Sequence, residues 1–203
     1  MRQSPILKIS RLEGLTDGTF AIAMTILALD LHLPEGISIS NLATYFFSTM
    51  FLKFLIYIGS FIILGTLWVA MNFQLGLIKH VNRPYLWTNI FYLMLICIVP
   101  FSANFLAHYP ENQLSISFFA INIILANMMQ YLIFRCAHKY DLNSELHTPV
   151  IHKAIIKRLW VAPIFDVAAL IVAFWSTELA FLILVAPPII YMFPGKIDQF
   201  NEQ

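Results

Sequence analysis

Long uncharged runs separated by short polar breaks dominate the pattern of this chain. A helix needs about 20 mostly apolar residues to cross the hydrocarbon core, and six segments qualify: roughly 14–31, 51–75, 85–107, 114–136, 159–177 and 179–194. The second is the longest. Apolar residues continue back to about Asn41, which predicts a helix projecting beyond the membrane face. Only Ser176-Thr177-Glu178 separates the last two segments, which predicts a tight antiparallel pair. Proline cannot donate a backbone hydrogen bond and clashes with the preceding turn, so Pro187-Pro188 predicts a kink in the last span. The one long connection, Lys139–Ile156, is the candidate for a small extramembrane element. There is no convincing internal repeat. The expected architecture is all-α: a single polytopic unit of six transmembrane helices over residues 1–203.

Composition agrees. Apolar residues make up 60% of the chain and charged residues 11%, with mean hydropathy +0.77. A soluble domain of this length needs far less apolar surface. The opening MRQSPILKISRLEG lacks the apolar run and small-residue cleavage site of a signal peptide, so the first span is expected in the mature protein. Cys97 is expected inside a span and Cys136 at a helix end, too far apart for a disulfide.

Charge placement gives orientation. Arg2, Lys8 and Arg11 precede the first span, and Lys79 and Arg83 lie in the second loop. Arg135, Lys139, Lys153, Lys157 and Arg158 lie in the fourth, and Lys196 follows the last span. Lys53 alone falls on the other side, at a helix end where its stem can snorkel. Bases accumulate on the cytoplasmic side, so both termini are expected there, as an even number of spans requires. The opposite side carries Asp30, Glu35, Glu111 and Glu178. These acids are either simply left where bases are excluded or form a negative outer vestibule that concentrates cations.

Catalytic chemistry has no visible constellation. The six histidines form no i, i+4 pair, and no phosphate-binding loop, nucleophile elbow or zinc-protease motif occurs. Neither a cofactor nor nucleic acid is expected as a partner, and enzymatic activity is not expected. There is also no TVGYG-like carbonyl filter.

Polar groups inside spans carry the remaining signal, because charge there is costly and tends to be functional. The first helix starts with Arg11, Glu13 and Asp17. Arg11 and Asp17 are six residues apart and point about 240° apart, so each needs a partner elsewhere. Further along, Ile22, Thr25, Ile26 and Leu29 share a sector of roughly 100°. Ordinary helix packing gives such a stripe too. Two features favour more: Thr25 is the hydroxyl of the helix centre and lies on this face, and Ala21 and Ala28 flank it and permit close helix approach. Asp166 is expected to be buried, as a hydrogen-bonded packing residue or part of an ion path. Trp68, Asn72, Trp87 and Asn89 supply polar edges, as interfacial anchors or interhelical glue.

The run Arg11-x-x-x-Leu15-Thr16-Asp17 resembles the Arg-x-x-x-Phe-Ser-Asp signature that opens the transmembrane-protein-175 family of potassium channels. The likeness continues through Ala23-Met-Thr-Ile-Leu-Ala-Leu-Asp-Leu31 and Pro34-Glu35, then Trp68, Trp87-Thr-Asn89 and Pro100-Phe101. It covers the first half of the chain well and the rest by span count. Leu15 replaces the family's aromatic, Thr16 keeps only the hydroxyl, and Met71-Asn72 stands where many relatives carry histidines.

The resemblance implies the prokaryotic single-repeat form: a six-span subunit of the plasma membrane, a homotetramer in the lipid bilayer, and a pore for potassium ions lined by the first helix. It assigns Ile22, Thr25 and Leu29 to the pore. With Ile26 they would form an apolar constriction, tightest at Ile22, with potassium passing transiently near Thr25. Arg11, Leu15, Thr16, Asp17, Trp68 and Asn89 become motif and polar-network positions, and Asp30 and Glu35 an outer acidic vestibule. The alternative is a small secondary transporter or proton-coupled carrier using Asp17 and Asp166. Transporters usually show broken helices or paired repeats, and here the one obvious interruption is Pro187-Pro188.

Overall fold

The computed structural model describes residues 8–29, 31–32, 42–144 and 148–192. Among them every regular element is helical: α1 Ile9–Leu29, α2 Leu42–Tyr45, α3 Phe51–Gly76, α4 Arg83–His108, α5 Gln113–Lys139, α6 Pro149–Val172 and α7 Thr177–Met192. A π-helical turn, Phe46–Met50, joins α2 to α3. The chain is therefore helical back to Leu42, as the apolar extension toward Asn41 predicts. Four helices, α1, α3, α4 and α5, are long and apolar enough to cross a membrane.

Local sequence sets the helix starts. The Asn82 side chain accepts from the Tyr85 amide at 2.9 Å, with Pro84 in the first turn. The Asn112 side chain accepts from the Leu114 amide at 2.8 Å. Thr148 accepts from the Ile151 amide at 3.3 Å, ahead of Pro149. Such side chains satisfy amides that the helix itself leaves unpaired.

The last of these caps corrects the sequence reading. Because Thr148-Pro149 starts a helix, α6 begins well before its apolar run, and α5 continues to Lys139. The expected long connection therefore contracts to 140–148. The turn between α6 and α7 also shifts: Val172 ends α6, and Thr177 and Glu178 belong to α7. The hydroxyl of Ser176 accepts from the Leu179 amide at 3.3 Å.

Helix α1 packs on α3 and α4, α5 on α4 and α6, and α7 on α3 and α6. The main core runs through all of these, with Phe20, Leu64, Tyr92, Ile96, Phe119 and Ile133 fully buried. Phe20 of α1 meets Tyr92 of α4 with ring centroids 6.2 Å apart. Gly59 lets α7 approach α3: a Cβ there would lie 2.6 Å from Phe181 Cζ and 2.8 Å from Val185 Cγ2.

Leu27, Lys53 and His108 line one small pocket, so the α1 C-terminus, the α3 N-terminus and the α4 C-terminus share an end. At the opposite end the α3–α4 turn pairs with the segment after α5. The Lys79 amide donates to the Leu142 carbonyl at 2.9 Å, and the Ser144 amide to the Leu77 carbonyl at 2.7 Å. Asp141 turns the chain there with φ 50°, a left-handed conformation that Asp tolerates better than most residues. Lys8, Arg11, Lys79, Arg83, Arg135, Lys139 and Lys153 gather at this second end, while Lys53 lies at the first.

Candidate pore-lining face

Helix α1 divides into two faces. Leu12, Thr16, Phe20, Ala23 and Leu27 recur every three or four residues and are buried against α3 and α4. Ile22, Thr25, Ile26 and Leu29 point away from the subunit. Ile22 is 61% exposed and Leu29 75%. The stripe read from the sequence is thus a face that the subunit itself leaves uncovered. Thr25 donates its hydroxyl to the Ile22 carbonyl at 2.8 Å, so its proton is engaged within the helix. The oxygen lone pairs remain available on the uncovered face.

The motif residues separate. Asp17 finds the interhelical partner that its geometry demanded: the Trp68 indole N–H of α3 donates to Asp17 Oδ1 at 2.9 Å. Thr16 is fully buried, and its hydroxyl has no partner among the described residues. Leu15 and Arg11 are exposed, and no acid among the described residues pairs with Arg11. Asn89 is buried in α4 and donates to the Tyr85 carbonyl of its own helix at 2.7 Å, so it stiffens a turn instead of bridging helices. Asn72 likewise donates to the Trp68 carbonyl at 3.3 Å. Asp30 and Glu35 lie outside the described residues.

A second polar cluster sits on the other side of the bundle. Asp166 of α6 is 2% exposed and accepts from the Asn127 side chain of α5 at 2.8 Å. Gln130, one turn on, donates to the Leu67 carbonyl at 3.2 Å, tying α5 to α3. Asp166, Asn127 and Gln130 line a cavity of about 40 Å³ with Leu67, Leu184 and Pro188. Sequence reasoning anticipated a buried Asp166 but missed its partners. Their signal was present: Asn122, Asn127 and Gln130 place three amides inside one apolar span, where an amide side chain needs a hydrogen-bond partner. Asn122 takes its own, Ser102 of α4, at 3.2 Å.

Known proteins fit this arrangement. A model of the family "Endosomal/lysosomal potassium channel TMEM175" matches residues 11–100, which holds the Asp17–Trp68 pair and the whole exposed stripe. A Chryseobacterium protein named as a potassium channel is 29% identical over 92% of this chain and 93% of its own. A Streptomyces collinus potassium channel is 30% identical over 49% of this chain and 48% of its own. The crystal structure of a potassium-selective TMEM175 homologue from Chamaesiphon minutus superposes with a TM-score of 0.73 at 21% identity, covering 91% of this chain and 96% of that one. The chain is thus an all-helical, multi-pass membrane protein that is similar to TMEM175 potassium channels, by the family model over its opening helices and by a bacterial relative along nearly its whole length.

Proposed function

We propose that this chain is the subunit of a homotetrameric, potassium-selective cation channel of a prokaryotic plasma membrane. Its first helix lines the pore, six helices span the bilayer, and both termini are cytoplasmic. The observation that carries the reading is the uncovered face of α1: Ile22, Thr25, Ile26 and Leu29 are left exposed while the opposite face is buried. One copy of that face cannot enclose a water path, and four copies about an axis can. The names of the bacterial relatives point the same way.

Ile22 forms the tightest ring in this reading, and Leu29 lies seven residues, or about 10 Å, along the helix. Four branched apolar side chains close a narrow passage that gates by dewetting. Such a passage favours the cation that sheds water more easily, so potassium passes over sodium, with weaker discrimination than a carbonyl filter. Thr25 offers oxygen to the partly dehydrated ion. Asp30 and Glu35 would attract cations at the outer mouth. Asp17 and Trp68 position α1, with Thr16 in its packed face.

A carrier mechanism through Asp17 and Asp166 has less support. Each carboxylate is held by a side-chain donor from another helix, and the two belong to separate clusters. Recording from the purified protein in a planar bilayer separates these readings. Unitary currents with a reversal potential favouring potassium over sodium are expected. Saturating flux without unitary events, or chloride permeability equal to that of potassium, would reject the channel reading.

A further inference from the structure

At the basic end of the bundle, a groove of about 880 Å³ opens between α4, α5 and the start of α6. Trp87, Phe91 and Leu132 line it and are substantially exposed. Arg135 and Lys139 line it as well, one turn apart on α5. The Arg135 guanidinium carbon lies 5.9 Å from the Tyr131 ring centroid, and Lys139 Nζ lies 5.6 Å from that of Tyr140. Neither tyrosine ring carries a charge that would neutralise these cations. Among the described residues no carboxylate lines the groove, and neither cation pairs with an acid.

An apolar wall below two cations, at the end of membrane-spanning helices, is complementary to an amphiphile with an anionic head. A basic pocket between such helices recognises anionic headgroups in this way. We propose that the groove binds an anionic phospholipid, its phosphodiester against Arg135 and Lys139 and an acyl chain along Trp87, Phe91 and Leu132. A zwitterionic lipid fits less well, because no acid among the described lining residues meets its ammonium group. The assignment is independent of where the pore lies.

Native mass spectrometry of the full-length protein, with phosphatidylglycerol and phosphatidylcholine added together, tests it. Phosphatidylglycerol should be retained preferentially. Each basic residue near anionic lipid is worth about fivefold in affinity, so Arg135→Gln with Lys139→Gln should cut the preference by roughly 25-fold. The charge-keeping pair Arg135→Lys and Lys139→Arg should preserve most of it, which separates loss of charge from loss of fold. Equal retention of the two lipids by the wild type, an unchanged preference in the glutamine variant, or equal loss in both variants overturns the proposal. Displacement of phosphatidylglycerol by millimolar inorganic phosphate would make this a free-phosphate site and overturn it too.

Discussion

The indole N–H of Trp68 donates to Asp17 Oδ1 at 2.9 Å, joining residues 51 positions apart on two antiparallel helices. The bond lies in the basic-end half of α1, below the uncovered Ile22–Leu29 face. It fixes the rotation of α1 about its own axis, because one turn of slippage would carry the carboxylate out of reach. Whatever α1 presents outward therefore depends on this pair.

Trp68→Phe keeps an aromatic ring, smaller than the indole, and removes the donor. A hydrogen bond to a charged acceptor contributes roughly 1.5–3 kcal/mol, so the variant should melt at lower temperature in detergent. Asp17→Asn should cost less, since an amide oxygen still accepts. In a double-mutant cycle the two losses should fall short of additivity, as for groups in contact. Full additivity would show that the two side chains do not interact in the detergent-solubilised protein.

Ile22→Asn should hydrate the proposed constriction, raising unitary conductance and lowering the potassium-over-sodium permeability ratio. Ala23, one residue on, is a poor control because it is buried against the subunit core. Ile164 of α6 is exposed and distant in sequence, so Ile164→Ser should leave both quantities near wild type. Unchanged conductance and selectivity in Ile22→Asn would move the pore to another helix.

Gly59→Ala should destabilise the contact between α3 and α7. The added methyl would sit 2.6 Å from Phe181 Cζ and 2.8 Å from Val185 Cγ2, and a valine cannot swing aside as a long side chain can. Overpacking of this kind typically costs about 1–3 kcal/mol. Phe181→Leu in the same chain should recover part of the loss, measured by thermal unfolding in one detergent.

His152, at the start of α6, has a pKa held below the usual histidine value, first by burial and then by the neighbouring His138. The ring centroids of the two histidines are 5.2 Å apart, and Phe134 lies 5.0 Å from His152. The fold thus favours the neutral ring. That contribution is complete above the unfolded-state value near 6.5 and is lost as pH falls through the lower folded value. Melting temperature should drop between pH 7.5 and pH 5, and His152→Gln should flatten the profile. An identical slope in the variant would assign the dependence to other groups.

Much of the fold was legible in the sequence because a bilayer allows few solutions. Backbone groups must be satisfied within each segment, so long apolar runs become helices. The Thr148-Pro149 cap is equally local, but hydropathy alone places the start of α6 too late, because basic residues break up the stretch between the cap and the apolar run. The exposed stripe of α1 could be found by counting at 100° per residue, since helix period is a local property. Asp17 needed a partner that its own helix could not provide, and this too followed from spacing.

Which partner it would find did not follow. Trp68 and Asp17, Asn127 and Asp166, and Gly59 and Phe181 meet only because their helices cross at particular rotations and depths. Those rotations are set by the summed packing of many side chains, each contact worth a fraction of a kcal/mol. One chain read in order carries no record of that sum. The groove over Arg135 and Lys139 is of the same kind: its two charges are neighbours on α5, but Trp87 and Phe91 reach them from α4 only through the tertiary structure. The sequence by itself determined helices, their apolar faces and the end on which the bases gather, because these obey local periodicity and the chemistry of lipid. The tertiary structure alone decided which polar group answers which, because that depends on three-dimensional packing between segments far apart in the chain.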